Sequence, residues 1–408
     1  MTSERDSLLE AYETLLGKNA IEIIKNKAKE FKNKTILHVN ATKFGGGVAE
    51  ILQNMVALMT ELGLSVNWKT FSAPDSFFQI SKKMHNALQG DSKIRFSNDE
   101  VTQFLDQAKN SHDQIHPEED FVIIHDPQPC PIIKFAEERK GKWTWRCHID
   151  TSNPNPQAWE LVLPYLQKYD ARIFTMKQFA KSEVKSPIVY ITPSINPFSN
   201  KNKELDHEEA KAIVQKYIPL DKPLITQISR FDPWKDPLGV MDAYKKVKKK
   251  VPVCLALIGS LAHDDPEGVE WLKKVKDYAD NDENIHILSN LDGVGDIEVN
   301  AFQRISDVII QKSIKEGFGL TVTEALWKKT PVIGGNVGGI TLQIENGVNG
   351  FLVDSMEETV EKVLYLLNNP KIAKKMGERG FEKVKREFLL NKHVERYLDL
   401  FKMLNKEK

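Results

Sequence analysis

Glu316 and Glu324, two carboxylates eight positions apart (324 − 316), bracket a Gly317-Phe318-Gly319 turn that runs into an apolar stretch. An α-helix repeats about every 3.6 residues. A helix opened by this turn therefore carries Glu324 on its body and leaves Glu316 just ahead of its start. The first N–H groups of a helix have no intrahelical acceptor and sit at the positive end of its dipole. Those of Gly319, Leu320 and Thr321 are expected to point into the gap between the acids. Such a gap suits a ligand with a phosphate for the amides and sugar hydroxyls for the carboxylates. An acid near a helix start and an exposed helical Glu account for either residue singly, but not for the glycine turn that joins them.

Breaking the bond between a sugar and a nucleoside diphosphate builds negative charge on the departing phosphate oxygen. It builds positive charge on the anomeric carbon. The first charge must be met by a metal or by fixed protein donors. Arg230-Phe231-Asp232-Pro233-Trp234-Lys235 offers two cations on one short turn. Arg grips a phosphate with paired hydrogen bonds and Lys adds a compact point charge. Taken alone, an Arg and a Lys on a loop are more often merely solvated. Gly45-Gly46-Gly47 is a second backbone donor site, although a glycine triplet by itself is commonly a flexible turn. It matches neither the P-loop nor the dinucleotide pattern. His148 lies in Trp145-Arg146-Cys147-His148-Ile149-Asp150, and such a histidine is more often a satisfied core residue. His125-Asp126-Pro127-Gln128-Pro129 ends another strand with polar groups that an acceptor, or a proline-broken strand exit, would equally explain.

Metal readings are weaker. Asp280-Asn281-Asp282 spells the Asp-x-Asp pattern of metal-dependent sugar transferases, but in a polar loop away from the other candidates. His263-Asp264-Asp265 and the pair His112 and His116 lack the further ligands of a closed site. No Gly-x-Ser-x-Gly nucleophile elbow is present.

The elements that would position these groups are short apolar strands separated by helices. Strands are expected at 35–40, 66–71, 121–125, 144–149, 171–175 and 188–192, and again at 224–229, 253–259, 285–289, 308–311, 331–334 and 350–353. Helical periodicity occupies 7–33 as a pair, 48–62, the weakly patterned 91–118, 237–250, 266–280, 296–306, 320–329, 356–368, 370–386 and 388–405. Near-continuous apolar strands alternating with helices imply parallel sheets covered on both faces. The class is α/β, with two doubly wound, Rossmann-like domains expected to face each other across a cleft. The N-terminal domain is assigned residues 1–198, the C-terminal one 199–387. Ligands of open α/β sheets bind beyond the carboxyl ends of the strands, where Gly45–Gly47, His148, Arg230 and Glu316 all fall.

The 408 residues carry 57 basic and 57 acidic side chains, so no general attraction to nucleic acid is implied. The N-terminus lacks the apolar core of a signal peptide, and no apolar run approaches the ~18–20 residues of a membrane span. A cytoplasmic protein without stable membrane association is expected. The lysine-interleaved 7–33 region would serve either as a membrane-surface helix or, more simply, as packing on the next domain. Cys130, Cys147 and Cys254 form no Cys-x-x-Cys pair and read as buried free thiols.

Together these residues resemble the retaining glycosyltransferases of family four, which have the GT-B fold, over nearly the whole chain. Glu316 with Glu324 matches the family's Glu-x7-Glu motif, and Arg230 with Lys235 its second signature. The closer resemblance is to trehalose synthases of the glycosyltransferring type. It is carried by His38-Val39-Asn40 through Leu52, His85 to Gly90, His125 to Pro129, Trp145 to Asp150, Ser229 to Lys235 and Ala262 to Gly268.

The resemblance implies transfer of glucose from UDP- or ADP-glucose to C1 of a second glucose, reversibly and without a metal or other cofactor. In this carry-over Arg230 and Lys235 hold the diphosphate, Glu324 the ribose and Glu316 a donor-sugar hydroxyl. The backbone of Gly317, Phe318, Gly319, Leu320 and Thr321 supports sugar and phosphate. His148 meets the glucose near its 6-hydroxyl, and Gly46 and Gly47 approach phosphate and acceptor. Asp126 and His85 are acceptor candidates. The departing phosphate itself would help deprotonate the attacking hydroxyl, and the last helix, 388–408, would cross back to the N-terminal domain. Asn196 stands where the family has Asp. The implied partners are a nucleotide sugar and glucose or trehalose; a homodimer is left open. The alternatives are a same-fold transferase with another acceptor (sucrose-type or glycan), a trehalose phosphorylase, and a non-catalytic nucleotide-sugar sensor.

Overall fold

The computed structural model describes residues 7–43, 46–261 and 266–406. The chain divides into two compact units, residues 1–194 with 390–408, and residues 195–389. Each is built on a six-stranded, all-parallel sheet.

In the first unit the strands are β1 (Thr35–Asn40), β2 (Ser65–Thr70), β3 (Phe121–His125), β4 (Lys142–Arg146), β5 (Ala171–Phe174) and β6 (Ile188–Tyr190), in spatial order β2-β1-β3-β4-β5-β6. The order steps outward in both directions from the β1–β3 pair, so the loops after β1 and β3 exit side by side. This is the switch point at which doubly wound sheets take ligands. Register sets His38 opposite Ile123 and His125 opposite Arg146. Side chains alternate along a strand, so His38, His125 and Arg146 share one face of the sheet.

That face is covered by the helix Leu390–Lys406, whose Tyr397 and Phe401 are buried. Phe401 stacks on Phe121 with ring centroids 4.6 Å apart and meets Phe31 edge-on at 5.9 Å. The helix Lys18–Lys29 buries Ile21, Ile24 and Ala28, and its Lys27 pairs with Glu395 at 3.0 Å and Asp399 at 2.8 Å. Its apolar stripe is therefore spent on protein packing.

In the second unit β7 (Leu224–Ile228), β8 (Cys254–Gly259), β9 (Ile285–Ser289), β10 (Val308–Gln311), β11 (Val332–Gly335) and β12 (Phe351–Val353) lie in the order β12-β11-β10-β7-β8-β9. Alternate residues feed two cores. Ile225, Leu255, Leu257 and Ile310 pack with Val240, Tyr244 and Val363 on one side. Leu224, Ile228, Ala256 and Ile258 pack with Val214, Ala301 and Phe302 on the other. Each Val, Leu, Ile or Phe side chain taken from water contributes about 1.5–3 kcal/mol, which explains why these strands read as unbroken apolar runs.

Among the described residues four helices escape the periodicity analysis: Asp75–Leu88, Pro156–Leu166, His207–Val214 and the four-residue Ile340–Gln343. The second starts on a cap visible in retrospect, Asn155 Oδ1 accepting from Gln157 N at 3.0 Å with Pro156 in the first helical position. β4 ends at Arg146 rather than at Ile149. The chain turns there because the His148 N–H leaves the ladder for the Asp126 carboxylate, at 2.8 Å. Asp150 serves its own loop, accepting from Ser152 N at 2.9 Å and Ser152 Oγ at 2.6 Å. Among the described residues no helix is long and apolar enough to cross a membrane. All three cysteines are buried and free.

Candidate functional site

The loops leaving β7 and β10 are tied together. Ile314 N donates to Trp234 O at 2.8 Å, and Gln227 Nε2 to Lys235 O at 2.7 Å. Lys235 ends a one-turn 3-10 helix, Pro233–Lys235, capped by Asp232. Its ammonium lies 2.6 Å from Glu316 Oε2, which also accepts from Ser313 Oγ at 3.1 Å. Both contacts use the same oxygen, Oε2. Lys235 and Glu316, 81 positions apart in sequence, form a largely buried, charge-assisted pair. Next to it Lys312 pairs with Asp236, whose carboxylate caps the helix Pro237–Lys248 by accepting from Gly239 N at 3.2 Å. Arg230 is half exposed and pairs with the buried Asp232 at 3.2 Å. Arg230 and Lys235 thus reach neighbouring but separate carboxylates.

Gly319 precedes the helix Leu320–Trp327 with φ +84°, a conformation that only glycine adopts without strain. A Cβ there would stand 3.2 Å from Glu316 Cγ, so the turn and the acid are fitted to each other. Leu320 and Thr321 form the first turn, whose N–H groups lack intrahelical acceptors. Gly317 and Phe318 are held from below. Gly339 N donates to Glu316 O at 3.1 Å, and a Cβ on Gly339 would lie 2.4 Å from Phe318 Cα. Gln343 Nε2 donates to Phe318 O at 2.5 Å while Gln343 Oε1 accepts from Thr323 Oγ1 at 2.5 Å. Glu324 is 2 % exposed and accepts from Gln303 Nε2 at 3.3 Å, with Lys201 Nζ at 4.0 Å. An exposed helical Glu is therefore not the explanation of this residue.

Gln343 escaped the sequence reading because it lies 24 residues beyond Gly319, on a helix of four residues. Gln343→Leu is expected to lower unfolding free energy by about 2–3 kcal/mol, since it strips partners from a buried carbonyl and a buried hydroxyl. Denaturant unfolding checks this, and unchanged stability would show that the amide does not brace the turn.

In the first unit Gly46, at φ +82°, sits immediately before the helix Gly47–Glu61, and both glycines are exposed. Gly45 lies outside the described residues, as does His263-Asp264-Asp265. Asp126, with φ +66°, follows β3; its carboxyl accepts from His148 N and its carbonyl from Trp145 Nε1 at 2.9 Å. Burial pushes the Asp126 carboxyl up to about 7, opposed by that N–H and by Arg146. Asp126 and His148 are thus brought together. His85 lies apart from them in sequence, in the last turn of the helix Asp75–Leu88, its Nδ1 3.1 Å from Gln89 Nε2.

His148 belongs to a larger cluster. Its Nε2 lies 2.9 Å from His125 Nδ1, and His125 Nε2 lies 3.0 Å from His38 Nδ1. Burial pushes the His38 imidazole down to about 3. It holds those of His125, His148 and His393 well below the usual range too, with Arg146 adding its charge against all three. His393 is anchored through Nδ1 to Ser194 Oγ at 2.8 Å. A histidine inside the apolar strand Thr-Ile-Leu-His-Val-Asn is the one sequence signal that a buried polar site lies there.

Asp282 of the Asp-x-Asp candidate pairs with Lys248 at 2.7 Å and accepts from Asn284 N at 3.0 Å, which engages it in the fold. Among the described residues no three His, Cys, Asp or Glu side chains cluster as metal ligands would.

Residues 38–181 match the family model described as the trehalose synthase N-terminal domain, and residues 208–383 that of glycosyl transferases group 1. The chain is 46% identical to a trehalose synthase of Thermococcus litoralis over 96% of both chains. It is 42% identical to one of Rubrobacter xylanophilus, again over 96% of both. Among solved structures, an α,α-trehalose-phosphate synthase (UDP-forming) from Burkholderia xenovorans, in complex with glucose-6-phosphate, superposes with a TM-score of 0.74. It does so at 12% identity, over 91% of this chain and 100% of that one, a likeness of fold. Two Rossmann-like units, the paired acids of the β10 exit and these relatives together show that the chain belongs to the trehalose synthase family of GT-B glycosyltransferases.

Proposed function

We propose that this protein is a retaining glucosyltransferase that moves glucose from a nucleoside diphosphate, UDP or ADP, onto the anomeric hydroxyl of a second glucose. The product is α,α-trehalose, and the reaction runs in both directions. The observation that carries this reading is the Lys235–Glu316 pair at 2.6 Å beside the glycine-opened helix start at Gly319. It sets the cation of one loop against the carboxylate and the helix-start N–H groups of another, in a chain related to trehalose synthases over nearly its full length.

In the proposed reaction Arg230 and Lys235 take the diphosphate, and the helix start at Leu320 and Thr321 shares its charge. Transition-state charge met by such preorganised donors needs no reorganisation at the moment of reaction. Glu316 orients the donor sugar through a hydroxyl and Glu324 binds the ribose. His148 meets the glucosyl group, while Gly46, Gly47, Asp126 and His85 serve phosphate and acceptor. The bond from C1 to the phosphate oxygen breaks as that from C1 to the acceptor oxygen forms, on the same face. The acceptor's proton passes to the departing phosphate oxygen, so no protein nucleophile is required. The reaction needs no metal, and the protein works in the cytoplasm.

The test is incubation with UDP-, ADP- or GDP-glucose and free glucose, with NMR of the product. A 1,1-linked disaccharide with both anomeric centres α is expected, at full rate after exhaustive chelation. No disaccharide from any donor, or trehalose cleavage that requires inorganic phosphate, would overturn the reading. Loss of rate on chelation, restored by manganese, would overturn its metal-independent part.

A further inference from the structure

β1, β3 and the segment just after β4 each contribute one imidazole to a chain of three. His38 and His125 are fully buried and His148 partly so. Adjacent ring centroids are 5.2 Å apart in both steps. His125 spends both nitrogens on its neighbours. His148 spends Nε2, so Nδ1 is the nitrogen it can offer a ligand. At the inner end His38 Nε2 is buried and has no hydrogen-bond partner among the described residues.

The groups around the inner end of this chain are cationic or neutral, while at its outer end the Asp126 carboxyl accepts from the His148 backbone N–H. Arg146 on β4 is fully buried, and its three guanidinium nitrogens have no hydrogen-bond partner among the described residues. The helix Leu390–Lys406 adds His393, Arg396 and Tyr397, with Tyr397 edge-on to His38 at 5.8 Å. Burial and these charges keep every ring of the chain neutral.

A neutral imidazole carries one N–H. Two successive hydrogen bonds among three neutral rings must therefore point the same way. The inward direction would strand the N–H of His38 Nε2 in the core, beside a buried cation. The outward direction leaves only a lone pair there. Orphaned buried donors are rarer than under-satisfied acceptors, and positive charge nearby favours the lone pair. The chain runs outward.

We propose that His125 and His38 are positioning residues that fix His148 as its Nδ1–H tautomer, so that the nitrogen left for the substrate is a hydrogen-bond donor. The inference rests on the reading of His148 as a glucosyl contact. A fixed donor there accepts only an oxygen with a lone pair to give, and it cannot deprotonate a hydroxyl.

Long-range nitrogen–proton NMR of the 15N-histidine-labelled, unliganded protein tests the chain directly. His125 and His148 should each be protonated at Nδ1 and bare at Nε2. His148 found as the Nε2–H form, or as a fast average of both, would overturn the proposal. Kinetics supply a second arm. His125→Phe should lower kcat by up to roughly a hundredfold through a misplaced ring, with KM for the nucleotide sugar nearly unchanged. His125→Asn, whose amide can still donate to His148 Nε2, should recover most of that loss. Equal losses in the two variants, or none in either, would overturn the positioning role. Failure of the transferase reading looks different: the tautomers are as stated, but the His148 signals do not respond to nucleotide sugar.

Discussion

Glu316→Gln is expected to lower kcat by roughly a hundredfold to a thousandfold, the range seen when one fixed transition-state contact is lost. The protein should remain folded. The amide nearly matches the carboxylate in shape, and its oxygen can still accept from Lys235 Nζ and Ser313 Oγ, now at 2.6 and 3.1 Å. What disappears is negative charge. A neutral amide no longer balances Lys235, and it no longer accepts strongly from a sugar hydroxyl. The partly buried Lys235 then carries an uncompensated charge in the free protein, which a bound diphosphate relieves. Nucleotide affinity should therefore hold or rise while turnover falls. Single-turnover kinetics with calorimetric nucleotide binding separates the two effects. A rate near that of the unaltered enzyme would remove Glu316 from the reaction.

Stability is expected to fall steeply with acid, from the histidines buried between the helix Leu390–Lys406 and the sheet it covers. His38, His125 and His393 are at most 1 % exposed. Their folded pKa values lie below the unfolded value, His38 at about 3. As pH falls through about 6.5 the unfolded chain takes up three protons that the native state refuses. Stability from this source is thus fully present above that pH and lost below it. Asp126 acts in the opposite sense. Its carboxyl, raised to about 7, binds a proton in the native state before it does in the unfolded one. For His38, His125, His393 and Asp126 alone, three protons less one leave a net of two, or roughly 3 kcal/mol for each pH unit between about 6 and 5, and His148, also held low, steepens the fall further. Denaturant midpoints measured across that interval check the slope, and His393→Phe should reduce it by about one proton. A flat profile would mean that these imidazoles charge in place.

Class and strand positions were legible in the chain because a strand buried on both faces has to be apolar throughout. Val308–Gln311 and Leu224–Ile228 could be read as strands before any contact was known. The turn at Gly317-Phe318-Gly319 was legible as well. A helix start, a left-handed glycine and the acid beside it depend on neighbours a few residues away, and Gly319 adopts that conformation at φ +84°. The helix Asp75–Leu88 was missed because it starts after Pro74 with no side-chain cap to announce it.

Long-range partners were not legible. Nothing in the sequence near Glu316 announces Lys235, 81 residues earlier, or the Gln343 amide that braces the turn. In the sequence His38 lies inside one apolar strand while His125 and His148 lie near the ends of two others, and nothing links the three. Parallel register made them one hydrogen-bonded chain, because adjacent strands bring residues of distant sequence onto the same face at about 4.8 Å spacing. Local conformation follows from steric and hydrophobic terms that act within a few residues. The pairing of charges and the protonation of buried rings depend on burial and on which groups end up adjacent, and only the packed sheet settles both.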